Sequence, residues 1–287
     1  MRNLKGIVVL PILALFALST SPSAQEAYRQ PPREVAAILD APATPIASPS
    51  PDGTRVLLIE YSAMLPIAEL AEPILRLAGV RIAPRTNDRQ RLTNYTGILI
   101  RTLPEGTEKR VAFPKGAKIG MPEWSPDGTR FAVPNAVAKG IELWVVDAAT
   151  GEGRAIIPAR LNGALGSPFA WMPDSKTLLC RFVPEGRGAA PKAPPVPTGP
   201  RTEETAGKVS PVRTYQDLLE NAHDEALFDY CATAQLALVD AAGGAIRPVG
   251  PQAVLASAEP APRGDHLLVT RIKNPYSHHV PFGLHAV

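Results

Sequence analysis

The chain is poor in the residues that build metal and redox sites. Of its 287 residues, two are cysteine and five are histidine. Cys180 and Cys231 stand far apart in sequence with no histidine beside either, which is not a zinc ligand pattern, and no metal or cofactor is expected. In an oxidising compartment the two could pair, or they could sit apart as buried apolar thiols; nothing in the sequence places them within bonding reach. An excess of one charge is also missing. The formal net charge is +3 with 20% charged residues, and Arg2 and Lys5 account for two of the three. That balance excludes a nucleic-acid surface and a polybasic membrane patch. No apolar run reaches the roughly 20 residues that a spanning helix requires. The run Gly6 to Leu18 is about 13 residues long and contains Pro11. With Arg2 and Lys5 before it and Ser21-Pro22-Ser23-Ala24 after it, residues 1–24 read as a cleaved secretory signal. The mature protein is then expected in the periplasm or outside the cell, with no stable membrane span.

Proline is plentiful, at 32 residues, and hydrophobic residues make up 45% of the chain. That suits a loop-rich β protein better than a helical one. The most informative feature is a repeat. Ser50-Pro51-Asp52-Gly53-Thr54-Arg55 returns unchanged as Ser125-Pro126-Asp127-Gly128-Thr129-Arg130. Apolar runs follow, Val56–Ile59 and Phe131–Val133. Weaker echoes are Trp171-Met172-Pro173-Asp174-Ser175 before Leu178–Cys180, and Ala261-Pro262-Arg263-Gly264-Asp265 before Leu267–Val269. Pro presets the first turn angle, Asp bonds back to its own backbone, and Gly takes the positive φ, so each motif is a turn feeding a strand. Further strands align with one another at Ile98–Leu103, Glu142–Asp147 and Gln235–Asp240, each before a turn. Pro126 and Pro173 are 47 residues apart, the length of a four-stranded propeller blade. The fold class is therefore all-β, a partial β-propeller of about three blades plus the start of a fourth, spanning residues 25–277. Regular amphipathic helices between the strands, which an alternating α/β fold would need, are missing.

Two intervals are longer and are read as insertions without strand patterning, residues 62–90 and 184–230. Pro66 and Pro73 break any long helix in the first, which is expected to cover one end of the propeller. The second opens with a Pro/Gly/Ala-rich stretch, Gly186 to Pro211, expected to be extended. A helix follows over Thr214 to Tyr230, with Leu218, Leu219, Ala222, Leu227 and Phe228 as its apolar stripe. His223, Asp224 and Glu225 lie on its polar face. Neighbouring residues on a helix do not face one another, so this trio reads as a solvated face and not as a metal or acid–base site.

Four passages resemble the N-terminal propeller of the prolyl oligopeptidase family of serine peptidases, in its glutamyl endopeptidase branch. They are Tyr28–Pro32 with Ile38–Pro42; Leu75–Ile82; Pro122–Gly128; and Thr214–Leu219 leading to His223–Glu225 and Leu227–Tyr230. The resemblance runs from about Ala27 to Ser277. It implies a propeller that sits over an α/β-hydrolase domain and restricts which peptides reach its Ser-Asp-His triad. The nucleophile of that family lies on a Gly-x-Ser-x-Gly elbow, and here no serine has a glycine two residues before it; Gly166-Ser167 has the wrong spacing. No catalytic residue transfers to this chain, and no cofactor-binding or metal-binding residue is assigned. Peptide substrate is expected to meet this chain only through a hydrolase domain that it lacks. Residues 278–287, with three of the five histidines, read as an atypical tail left by a frame change or early stop. Adjacent His278 and His279 would point to opposite faces of a strand, which argues against a metal pair. Three blades and a fragment do not close a ring, so the last strand is expected to offer unpaired backbone groups and to promote association. The second reading is a free-standing periplasmic propeller that binds a protein or peptide.

Overall fold

A computed structural model describes residues 30–62, 64–196, 207, 214–243 and 246–285. The signal reading of residues 1–24 lies outside them, as does most of the Gly186–Pro211 stretch. The chain divides into two units, residues 1–41 and 42–287. The described part of the first holds one short helix, α1 (Arg33–Leu39), which follows Pro32.

The second unit is built of antiparallel strands in successive meanders. The first blade is β1 (Ile46–Pro49), β2 (Arg55–Ser62), β6 (Asn94–Thr102) and β7 (Glu108–Arg110). Between β2 and β6 lie a single helical turn, α2 (Ile67–Leu70), and a small sheet of β3 (Leu75–Leu77), β4 (Val80–Ala83) and β5 (Asp88–Arg89). In the second blade the inner strand is split into β8 (Lys118–Ile119) and β9 (Glu123–Trp124). Both halves pair with β10 (Arg130–Val137), and β11 (Gly140–Asp147) and β12 (Gly153–Ile157) complete the blade. The third is β13 (Phe169–Trp171), β14 (Thr177–Phe182), β15 (Thr233–Asp240) and the first half of β16 (Ile246–Pro260). The second half of β16 pairs with β17 (Leu267–Arg271) and opens a fourth blade. The strands expected from the repeat are therefore present, with three blades and the beginning of another.

The repeated turns close on themselves. The Ser50 hydroxyl donates to Asp52 at 2.6 Å and receives the Arg55 N–H at 3.0 Å, and Ser125 repeats both contacts with Asp127 and Arg130 at 2.7 and 3.0 Å. Gly53 and Gly128 each take φ of 70°. The Ser50 hydroxyl first, then the Thr54 N–H and hydroxyl, hold the Asp52 carboxyl down at about 2.

Period-two alternation sends successive residues of each blade to opposite neighbours. Leu57, Ile59, Ile98 and Ile100 of the first blade meet Phe131, Val133 and Val146 of the second. Ala132, Leu143 and Val145, one position out of phase, turn the other way and meet Leu178, Cys180 and Val239 of the third. Leu179, Leu236 and Leu255 continue the stack toward β17. Each interface is thus a sheet-on-sheet core, with both faces of the middle blades buried.

Two expectations are corrected. Residues 62–90 do contain strands. Leu77 and Val80 are joined by Ala78 and Gly79, both at positive φ (50° and 83°), the geometry of a tight hairpin turn. The strands are only two to four residues long, too short to register as an alternating pattern. The predicted Thr214–Tyr230 helix is shorter at its start: α3 spans Ala222–Ala232, capped by the Asn221 side chain, which accepts from the His223 and Asp224 N–H groups at 2.9 and 3.0 Å. Upstream, Asp217 sits at φ 59°, outside helical geometry. Leu219 is fully buried without being helical. The last described residues, read as part of an atypical tail, pack on earlier segments. The Phe282 N–H donates to Ala78 O at 2.7 Å, and His285 is buried against Phe228 and Tyr276.

Candidate functional site

The innermost strands β1, β9 and β13 define the side of the blade stack where a propeller carries its channel. Two indoles stitch them together. Trp124 Nε1 donates to Ser48 O at 3.1 Å, from the second blade to the first; Trp171 Nε1 donates to Glu123 O at 2.9 Å, from the third to the second. Trp124 and Trp171 stand in the same place, directly before the turn motif, so the repeat that specifies the turn also specifies the staple.

Glu123 is the residue of most electrostatic interest here. Its side chain is exposed overall, and Oε1 accepts the Trp171 N–H at 3.4 Å. Burial raises its pKa, opposed in part by that bond. It borders a groove of about 490 Å³ whose other walls include Arg91, Tyr95, Pro134, Ser167 and Phe169. Arg91 is already engaged: it pairs with Asp88 at 2.7 Å and donates to Lys118 O at 3.0 Å. The groove therefore offers apolar walls, a matched ion pair and the Glu123 carboxylate.

The Glu123 carboxyl has a testable consequence. Its folded-state pKa lies above the unfolded value, so the folded chain binds more protons over that interval and the contribution of this group to stability declines as pH rises through it. Glu123→Gln removes the charge and keeps an acceptor for the Trp171 N–H. The variant is expected to melt at or above the parent temperature at pH 7, an advantage that shrinks toward pH 4 as the parent carboxyl protonates. Thermal melts across pH 4–8 check this; a variant less stable than the parent at pH 7 contradicts it.

His223, Asp224 and Glu225 do not converge. Asp224 accepts the Glu220 N–H at 2.9 Å, while Glu225 pairs with His278 at 2.6 Å. The helix face expected to be solvated is thus partly covered by His278 of the tail and by Tyr276 just before it, whose hydroxyl donates to Asp229. Burial, then the Asp229 contacts, push the Tyr276 pKa up. Among the described residues no group of three or more His, Cys, Asp or Glu is placed to hold a metal ion, and no helix is long and apolar enough to cross a membrane. Cys180 and Cys231 are both free and buried. Burial raises both thiol pKa values, that of Cys231 to about 11.

Sequence reasoning missed a polar knot around the end of α3. The Cys231 carbonyl accepts from Asn87 and Asn162 Nδ2, both at 3.0 Å, and Asn162 also reaches Thr233 O at 2.9 Å. Arg187 donates to Asn87 Oδ1 and Tyr230 O and lies 4.0 Å from the Tyr230 ring centre. Asn87, Asn162 and Arg187 come from three separate loops, and no local pattern marks them as partners.

No family model matches the chain. Two curated relatives do. A probable chloroplastic glutamyl endopeptidase of Oryza sativa subsp. japonica is 40% identical over 276 residues, covering 91% of this chain and 29% of the relative. The Arabidopsis thaliana protein of the same description is 40% identical over 270 residues, covering 89% and 28%. The chain belongs to the glutamyl endopeptidase branch of the prolyl oligopeptidase family, as its propeller portion. It spans under a third of the length of those relatives. Among solved structures, Pyrococcus horikoshii acylaminoacyl peptidase in its orthorhombic crystal form is similar at 16% identity and a TM-score of 0.45, over 83% of this chain and 29% of that one.

The passages that carried the resemblance to this family have structural work in the fold. Pro122–Gly128 supplies the inner strand, an indole staple and a turn. Leu75–Ile82 is the β3–β4 hairpin. Thr214–Tyr230 leads into α3, and its Asp217 binds Arg81 at 2.8 Å while its main-chain oxygen accepts the Gly79 N–H.

Proposed function

We propose that this chain is the substrate-filtering propeller portion of an exported serine-type peptidase whose hydrolase domain lies outside these residues, and that it cleaves nothing by itself. The observation that carries this reading is the distribution of identity: 40% across nearly the whole chain, yet confined to 29% of the rice relative. The missing Gly-x-Ser-x-Gly elbow supports it. So does a groove lined by apolar side chains and a paired Asp88–Arg91, which is suited to contact and not to bond cleavage. A propeller filters by admitting extended peptides and excluding folded ones, so its inner strands must be rigid; the Trp124 and Trp171 staples provide that rigidity.

The purified chain, incubated with a library of Glu-containing peptides and read by mass spectrometry, is expected to leave them intact. Cleavage that survives repurification overturns the non-catalytic reading. Replacing the matching segment of the rice relative with this chain is expected to preserve cleavage of short peptides and to spare folded proteins; indiscriminate cleavage overturns filtering. N-terminal sequencing of the exported product is expected to begin near Gln25, and a cytoplasmic product that retains Met1 overturns export.

A further inference from the structure

One pocket of the second unit collects positive charge that the protein leaves unanswered. It measures about 230 Å³ and lies where four segments meet. They are the β4–β5 turn at residues 84–87, the β10–β11 turn at Lys139, residues 159–161 after β12, and residues 183–187 after β14. Main-chain contacts fix the meeting. The Leu161 N–H donates to Ile141 O at 3.2 Å, the Val183 N–H to Arg160 O at 2.9 Å, and the Gly163 N–H to Asn87 O at 3.0 Å. Arg85 Nη1 reaches the Val137 and Ala138 carbonyls at 3.2 and 3.0 Å, which ties the β4–β5 turn to the β10–β11 turn. Gly140 lies so close to residue 159 that a Cβ there would sit 2.4 Å from Ala159 O. The walls are therefore held by the fold itself.

Four cations and one carboxylate line the pocket: Arg85, Lys139, Arg160, Arg187 and Glu185. Two of the cations are neutralised within the protein. Arg85 pairs with Glu72 at 2.9 Å, and Arg160 with Glu185 at 2.5 Å. The other two are not. Arg187 Nη1 donates to the uncharged Asn87 Oδ1 and Tyr230 O, at 2.6 and 3.1 Å. Lys139 is exposed and makes no hydrogen bond or ion pair among the described residues. A third donor is also unspent. Thr86 lines the same pocket and is only 5% exposed, yet its hydroxyl has no hydrogen-bond partner among the described residues. A buried hydroxyl is ordinarily partnered, so Thr86 marks a ligand site independently of the charge.

We propose that this pocket binds a small phosphate monoester. Two uncompensated cations match a dianion, and the monoester is largely dianionic at pH 7. Lys139 Nζ, the remaining Arg187 N–H groups and the Thr86 hydroxyl match its three terminal oxygens. A carboxylate carries one charge and would leave one cation unanswered. The volume falls below the roughly 300–1,000 Å³ of sites for drug-sized ligands, which limits the ester group to a few atoms.

Thermal melts of the full chain at pH 7 test this, with sodium phosphate and glycerol 3-phosphate compared with sodium chloride at equal ionic strength. Both phosphates are expected to raise the midpoint saturably, as a ligand bound only by the folded state does. Lys139→Ala is expected to weaken the apparent affinity about tenfold, the loss of one charged hydrogen bond. Thr86→Val keeps the shape and removes the hydroxyl. It is expected to weaken phosphate binding and leave the ligand-free midpoint unchanged or higher, because no protein partner is lost; a lower midpoint with phosphate binding intact would make Thr86 structural and overturn its role. Lys115→Ala, an exposed lysine between β7 and β8, is expected to change nothing, which separates the pocket from general attraction of anions. No phosphate-specific shift, or equal binding by Lys139→Ala, overturns the proposal. Acetate binding as tight as that of phosphate overturns the phosphoryl assignment. A phosphoserine peptide that binds more tightly than glycerol 3-phosphate overturns the small-molecule assignment.

Discussion

Phe131→Ala is expected to remove about 3–5 kcal/mol of stability, the range for truncating a buried aromatic residue. Phe131 is fully buried at the interface of the first two blades. Its ring meets Trp124 edge-on, with centroids 5.5 Å apart and planes at 69°. The cavity would open between two sheets held rigid by their own ladders, so the walls have little freedom to collapse into it. The same deletion removes the apolar support of Trp124, whose indole ties the first blade to the second. Urea denaturation followed by tryptophan fluorescence checks this: the midpoint is expected to fall with the slope unchanged. Leu268→Ala, on the exposed β17 edge, is the contrast, expected within about 0.5 kcal/mol of the parent. A Phe131→Ala loss below about 1 kcal/mol, well under that range, would mean that the blade interface is not packed as described.

Asn162→Leu is the second large effect. The substitution keeps the side-chain size and deletes all of its hydrogen bonds. Asn162 is 3% exposed; besides its two carbonyl partners it accepts the Ala164 N–H at 3.1 Å. Each buried group left without a partner costs about 1–3 kcal/mol, so a total near 3 kcal/mol is expected, the Cys231 carbonyl being partly spared by Asn87. Because Asn87 and Asn162 share that acceptor, Asn87→Leu with Asn162→Leu is expected to depart from additivity, and a double-mutant cycle measures the coupling. Hydrogen exchange should show the loss at the carboxyl end of α3 first. A variant as stable as the parent, with α3 protection unchanged, would show that the knot is not what holds the insertion against the third blade.

The parts of this fold that were legible in sequence are those made by bonds between near neighbours. Ser50, Asp52 and Arg55 complete their turn within six residues, so a second identical copy at Ser125 announces a second identical turn. The runs after them are β-branched and aromatic, and the strands formed where expected. The insertions were harder. Leu218 and Leu219 fit a helical stripe, yet Leu219 is buried through contacts with distant segments and its backbone is not helical. Likewise β3–β5 are held by pairing and by the apolar core under α3, which involves Phe228 and Tyr276. The tail looked foreign because nothing within it predicts structure; its contacts are with Ala78, Glu225 and Phe228, far earlier in the chain.

Local turn chemistry and period-two alternation belong to the sequence itself, and with them the blade, its repeat and the family it resembles, because each depends on atoms only a few residues apart. Which groups meet across blades was settled by tertiary structure alone: the indole staples, the Lys109–Ala149 and Arg154–Ala242 contacts, and the Asn87–Asn162–Arg187 knot. Those contacts join residues 40 to 144 positions apart. Their energy depends on a donor and an acceptor arriving within about 3 Å, and only the packing of whole sheets brings them that close.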